Sequence, residues 1–303
     1  MKKNLFLSLF LKLNHLLHLF FAYSEVIWSY LIHNYFDESA PVYQLGICDH
    51  YSDEIPKYYN YGTVVPNVLD KNQKIVNLLE YFRKYPDSSV DIDNYENYCM
   101  KSYDYTSIFN SKFILENKFL GEKLAMQVLL SVLKTDQNYH YENVGMIYEN
   151  DKLLKMSPPI DHEFSTMFLY MDDLELHKSI FKRYKDNLGD DIDSNLDIIV
   201  DKYESVCLEF LKKLDNMIND LENQSIVLSD NNYIFPFNSN NYRFGICKYK
   251  KNIPDIENNF KQYIVDINVV SELVMSEILE MSNLLKQNLI DRLENKKGKR
   301  LVR

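Results

Sequence analysis

Glycine is scarce in this 303-residue chain: there are 7, and none precedes Gly46. A loop that brings backbone amides close to a phosphate needs uncrowded residues, so the leading segment holds no glycine-rich phosphate loop. Cysteine is equally thin. Cys48, Cys99, Cys207 and Cys247 are scattered with no C-x-x-C pair, which excludes a zinc ribbon or a disulfide framework and fits a reducing cytoplasm. Basic charge is also short, with 34 Lys and Arg against 44 Asp and Glu and a net charge of -10. The basic cluster is terminal, Lys296-Lys297-Gly298-Lys299-Arg300, and reads as a frayed helix end. With no basic stripe, direct nucleic-acid binding is not expected. Long apolar runs are missing too. The Leu- and Phe-rich start from Leu5 is interrupted by Lys12, Asn14, His15 and His18, short of the roughly 20 residues that a membrane span requires. No small-residue cleavage site follows it, so neither an export nor a membrane role is expected.

What is present suits a globular chain with room for two lobes: 46% hydrophobic residues, 14% of all residues aromatic. Apolar spacing predicts a helix from Tyr23 to about Tyr35, strands over Val42–Cys48 and Tyr61–Pro66, and a helix over Gln73–Phe82. The stretch Tyr85 to Tyr105 is polar and rich in Tyr and Asp, and reads as a surface connection between lobes. A helix is expected over Phe113–Leu133, with Phe119, Leu120, Leu124, Val128, Leu129, Val132 and Leu133 along one side. A hairpin follows, Val144–Tyr148 and Leu153–Met156 around Glu149-Asn150-Asp151, and helices are expected over Leu196–Leu221 and Ile256–Leu293. The chain thus divides into a leucine-rich segment, 1–22, a small mixed portion, 23–105, and a helical portion, 106–303. The charged run from Met171 to Asp193 reads as a solvated face.

Chemistry-bearing residues concentrate around the hairpin. Thr135-Asp136-Gln137-Asn138-Tyr139-His140-Tyr141-Glu142-Asn143 precedes it, and Ser157-Pro158-Pro159-Ile160-Asp161 follows it. Phosphoryl transfer needs a metal to neutralise the phosphate oxygens and a group to orient the attacking hydroxyl, work that an Asp, an Asn and a second Asp share in kinase sites. Asp136, Asn143 and Asp161 offer that set. A zinc role for Asp161-His162-Glu163 is not expected, since adjacent side chains diverge and His162 lacks an H-x-x-x-H companion.

Here the sequence resembles the C-terminal lobe of HipA-like serine/threonine kinases, in which a T-D-R-H-x-x-N-x-G run is followed by a hairpin and an A-P-x-x-D segment. Upstream, Ser24–Leu31 followed by Val42–Leu45 is similar to that family's small-lobe helix and next strand. The resemblance implies an α+β, protein-kinase-like two-lobe fold of the HipA type, with ATP and Mg²⁺ as cofactors. It implies a protein substrate phosphorylated on Ser or Thr, and an antitoxin-like partner if the chain is the toxin of such a pair. By the same resemblance Asn143 and Asp161 would hold Mg²⁺, His140 would brace the catalytic loop, and Glu25 would take the ion-pair position on the small-lobe helix.

The base position stays open. The family places its Asp five residues before the Asn, where this chain has Asn138; Asp136 follows Thr135 as in the family's pair but stands two residues further away. If the loop absorbs the two extra residues, Asp136 is the base. In strict register Asn138 takes its place, and an amide cannot accept a proton as a carboxylate does. The family's ATP-contacting Lys has no counterpart outside Lys2, Lys3 and Lys12 ahead of Glu25. The alternative is therefore an inactive pseudokinase or gene remnant that acts through protein interaction.

Overall fold

A computed structural model describes residues 24–49, 59–64, 67–90, 92, 105–136, 139–159, 190–223 and 256–301. The leucine-rich segment, Asn138, Asp161, His162, Ser165 and most of the Met171–Asp193 run lie outside the described residues.

Helix α1 covers residues 24–31 and widens into a π-turn over Ile32–Phe36. Val26, Ile27, Trp28, Leu31 and Ile32 are all shut away from solvent, which accounts for the helix in a segment rich in β-branched and aromatic residues. The buried Ser29 hydroxyl donates to the Val26 carbonyl at 2.7 Å and accepts the Tyr43 N–H at 2.8 Å, tying the helix to the strand that follows. At its other end α1 meets α7 (Glu204–Glu222). The Phe36 and Phe210 rings lie 5.2 Å apart, Lys213 caps the Phe36 carbonyl at 2.8 Å, and the Tyr35 hydroxyl donates to Asp220 at 2.6 Å.

Strands β1 (Gln44–Asp49) and β2 (Tyr59–Val64) form an antiparallel pair, both as expected to within two residues. The helix expected over Gln73–Phe82 is corrected. Gln73–Asn77 is strand β3, and α2 begins only at Leu78 and runs to Lys84. Two local causes set the boundary. Asn77 accepts the Glu80 N–H at 2.7 Å while Glu80 accepts the Asn77 N–H, a capping box that starts a helix there and not earlier. Residues 73–77 are meanwhile claimed by a partner distant in sequence, β4 (Gly145–Glu149). With β5 (Lys152–Met156) they make a three-stranded antiparallel sheet in the order β3-β4-β5.

The helix expected over Phe113–Leu133 is two helices. After the short α3 (Thr106–Asn110), α4 (Lys112–Glu116) and α5 (Lys118–Lys134) part at Asn117, whose extended φ of -123° interrupts the ladder. Phe119, expected in the core, is 56% exposed because this break turns it outward. Tyr105, expected at the surface, is fully buried. The span Leu196–Leu221 likewise splits at Tyr203 into α6 (Asp190–Lys202) and α7.

Helix α8 (Ile256–Leu301) is continuous for 46 residues, about 69 Å at 1.5 Å per residue. Its basic end is not frayed. The Lys296 ammonium donates to the Val200 carbonyl at 2.6 Å and the Asp201 carbonyl at 3.0 Å, and pairs with Glu204 at 2.9 Å, so it caps the end of α6. One turn earlier Arg292 binds Asp193 and Asp197, which places Asp193 in an ion pair and not on a free solvated face. The described residues form an α+β protein, mostly helical. Buried side chains from Val26 to Leu293 belong to one hydrophobic cluster, with α5 in contact with α6, α7 and α8. Among the described residues no helix is long and apolar enough to cross a membrane.

Candidate active site

Helix α5 is buried nearly all round, and its end is a Schellman turn: the Thr135 N–H donates to the Val132 carbonyl at 3.1 Å and the Asp136 N–H to the Ser131 carbonyl at 3.0 Å. This geometry puts Thr135 in the left-handed region, with φ 52° and ψ 39°. Glycine normally fills that position; a β-branched residue there is a true outlier. The turn sets Lys134 and Asp136 side by side. The Lys134 ammonium donates to Asp136 Oδ2 at 2.7 Å, and the two side chains are only 2% and 1% exposed.

Beyond the turn the chain is held from below by aromatic packing. Tyr139 and Tyr141 are buried, and both rings lie 5.4 Å from that of Tyr105, whose hydroxyl donates to the Tyr139 carbonyl at 3.3 Å. Burial first, and then the negative Asp136, push the Tyr139 phenol well above its ordinary pKa, so it remains a hydrogen-bond donor. It donates to Gln127 Oε1 at 3.1 Å, and Gln127 Nε2 donates to the Ser157 carbonyl at 2.6 Å. Gln127 thus bridges the loop before the hairpin and the segment after it.

The hairpin closes the same distance by backbone. The Ser157 N–H donates to the Gly145 carbonyl at 2.8 Å. Gly145 is packed so closely that a Cβ would lie 2.7 Å from Ile75 and 3.1 Å from the Ser157 hydroxyl. The Leu78 N–H is shared between the Tyr141 carbonyl at 3.1 Å and the Val144 carbonyl at 3.0 Å, so the start of α2 grips the loop as well.

Of the expected site residues, Asp136, His140 and Asn143 fall on one loop, and Asn143 stands two residues from the Gly145–Ser157 closure. His140 and Asn143 are half-buried. The Asn143 N–H donates to the His140 carbonyl at 2.9 Å, and His140 Nδ1 accepts the Glu142 N–H at 3.3 Å. The Glu142 carboxylate lies 3.8 Å from the same nitrogen. Glu25 lies half-buried on the first described turn of α1, the helix docked on α7 through Tyr35 and Phe36. Asp161 is four positions past Ser157, outside the described residues. Among the described residues no group of three His, Cys, Asp or Glu side chains is arranged to hold a metal ion.

Sequence reasoning missed three residues that build the site: Lys134, Gln127 and Tyr105. Gln127 had a signal, a polar side chain in the midst of an apolar helix; Lys134, at a helix end where lysines are common, had none. A cleft of ≈ 550 Å³ opens between the π-turn of α1 and α5; Gln127 and Ser157 line it together with His33, Lys123, Lys155 and Lys213, whereas Asp136, His140 and Asn143 do not. Comparison with protein-family profiles, with curated proteins and with solved structures gave no significant match to this chain.

Proposed function

We propose that this chain is a HipA-like, ATP-dependent serine/threonine kinase of two-lobe design, working in the cytoplasm on a protein substrate. The observation that carries the reading is the closure of the β4–β5 hairpin. Ser157 bonded to Gly145, with Gln127 bridging to Tyr139, brings the run ending at Asn143 and the segment leading to Asp161 to the same end of the sheet. This is the juxtaposition a metal-assisted phosphoryl transfer needs from its loop and its metal-holding segment. The Asn143 side-chain oxygen suits Mg²⁺, a hard cation that prefers oxygen ligands, and Asp161 would supply the second. Bound Mg²⁺-ATP would provide the phosphoryl group and neutralise its charge. The chain's own part is to hold that ligand through Asn143 and Asp161, to orient the hydroxyl of a Ser or Thr, and to take its proton on Asp136. A role as the toxin of a toxin–antitoxin pair, with an antitoxin-like protein as partner, belongs to this reading.

One observation favours a second reading, an inactive pseudokinase acting in protein interaction. Asp136 is 1% exposed and engaged by Lys134, whereas a working base must come within about 3 Å of the proton it takes. Thermal unfolding with and without Mg²⁺-ATP tests the first reading. The midpoint should rise in the wild type, by an amount equivalent to about 2.7 kcal/mol at a hundredfold excess over Kd, and the rise should shrink in Asn143→Ala. A wild-type midpoint indifferent to Mg²⁺-ATP would rule out the kinase.

A further inference from the structure

We infer that the Lys134–Asp136 ion pair is an inhibitory latch, which holds the base out of reach until the loop is opened from the ligand side. The inference rests on the kinase reading and concerns how that site is regulated. Three observations carry it. The pair is made within one turn of backbone, so it can open without unpacking a helix. Both side chains are excluded from solvent, 2% and 1% exposed, so no substrate hydroxyl reaches the carboxylate in this state. The residue between them, Thr135, is held at φ 52° and is itself buried. A β-branched residue in the left-handed region is a conformation that persists only when its surroundings impose it, and such strain is found at switch regions.

The strain and the ion pair oppose one another. The pair, the Schellman hydrogen bonds and the 2.7 Å bond from the Thr135 hydroxyl to the Lys134 carbonyl hold the turn shut. The backbone of Thr135 gains when the turn relaxes to φ below zero, which swings Asp136 away from Lys134. Once free, Asp136 accepts the proton of the substrate hydroxyl. That O–H bond breaks as the hydroxyl oxygen bonds to the γ-phosphorus, and the bond from the γ-phosphorus to the ADP oxygen breaks in turn. A ligand that prefers the open loop shifts this equilibrium by its differential affinity for the two states.

Carboxylate labelling of the full chain with a carbodiimide and glycine ethyl ester, read by mass spectrometry at Asp136, tests the latch alongside thermal unfolding. In the absence of nucleotide Asp136 should be protected. With saturating Mg²⁺-ATP the unfolding midpoint should rise and labelling of Asp136 should increase about tenfold or more, as expected for a minor open state made dominant. Thr135→Gly removes the strain that favours opening. It should unfold at a higher temperature, label less at Asp136 in Mg²⁺-ATP, and transfer less phosphate to a generic Ser/Thr protein acceptor such as casein than the wild type does. A purely structural turn would gain stability in Thr135→Gly with no change in labelling or transfer. A raised midpoint with Asp136 still protected would overturn the latch and leave the kinase reading standing. No rise in midpoint and no labelling would overturn both. Should Thr135→Gly fail to fold, the wild-type labelling decides alone.

Discussion

Lys134 meets Asp136 two residues away, within a single turn and out of solvent, whereas Arg292 on α8 reaches back 99 and 95 positions to Asp193 and Asp197 on α6, the latter 67% exposed. The long-range clamp, with Lys296 beside it, does what the fold needs, joining two helices that sequence keeps apart. The local pair links two side chains that the backbone has already set within one turn. Two apolar side chains of similar volume would hold the end of α5 as well or better, since buried ion pairs seldom outdo hydrophobic replacements. A buried pair made inside one turn and set beside a strained residue is the feature on which the proposed latch depends.

The largest expected effect belongs to the buried pair. Lys134→Met leaves the Asp136 carboxylate without its cation in the interior and should cost about 3–5 kcal/mol in urea unfolding. The double variant Lys134→Met, Asp136→Leu should recover most of it. A double variant as unstable as the single would mean that the pair is structural after all, and the contrast drawn above would fail. Arg292→Ala should cost less, about 1 kcal/mol by the same measurement, because solvent screens Asp197 and reaches Asp193 in part, even though it removes contacts to two carboxylates and a backbone carbonyl.

Another carboxylate gives the smallest effect and fixes its sign by pH. Asp87 accepts the Ser89 hydroxyl at 2.6 Å, the Ser89 N–H at 2.9 Å and the Lys112 N–H at 2.8 Å at the start of α4. The Ser89 bonds, aided by the one from Lys112, hold its pKa below the ordinary 3.8. The unfolded chain therefore binds this proton at a higher pH than the folded chain does. The stabilisation is complete above about pH 4 and is lost as pH falls through the lower folded value. Asp87→Asn should flatten this part of the acid limb in a pH series of unfolding midpoints. An unchanged limb would show that Asp87, like a surface pair, is too well solvated to matter.

Elements whose cause is local were legible in the sequence. The hairpin at 145–156 announced itself through Glu149-Asn150-Asp151, and Asn150 and Asp151 do take positive φ in the turn. The deep side of α5 followed from its apolar spacing. What was not legible depended on distant partners. Gln73–Asn77 is a strand because β4, some seventy positions later, pairs with it. Tyr105 is buried because Tyr139, Tyr141 and the Asn195 side chain, which accepts the Tyr105 N–H at 2.9 Å, enclose it. At the candidate site, the sequence grouped Asp136, His140 and Asn143 before the hairpin, and they do fall on one loop, but it gave no sign of the burial of Asp136. Its ion-pair partner, Lys134, stands where lysines are common, at a helix end.

Gly121 bears on all of this from the other end of α5. A Cβ there would sit 2.2 Å from the Tyr203 hydroxyl and 3.0 Å from Ile114, so the bare backbone is a keyway into which the Tyr203 side chain fits at the break between α6 and α7. A side chain larger than hydrogen at this position would push Tyr203 out of its seat. Lys134 lies thirteen residues along the same helix, about 20 Å away. One helix therefore carries a close-packed joint at one end and, at the other, the turn that sets Lys134 beside Asp136.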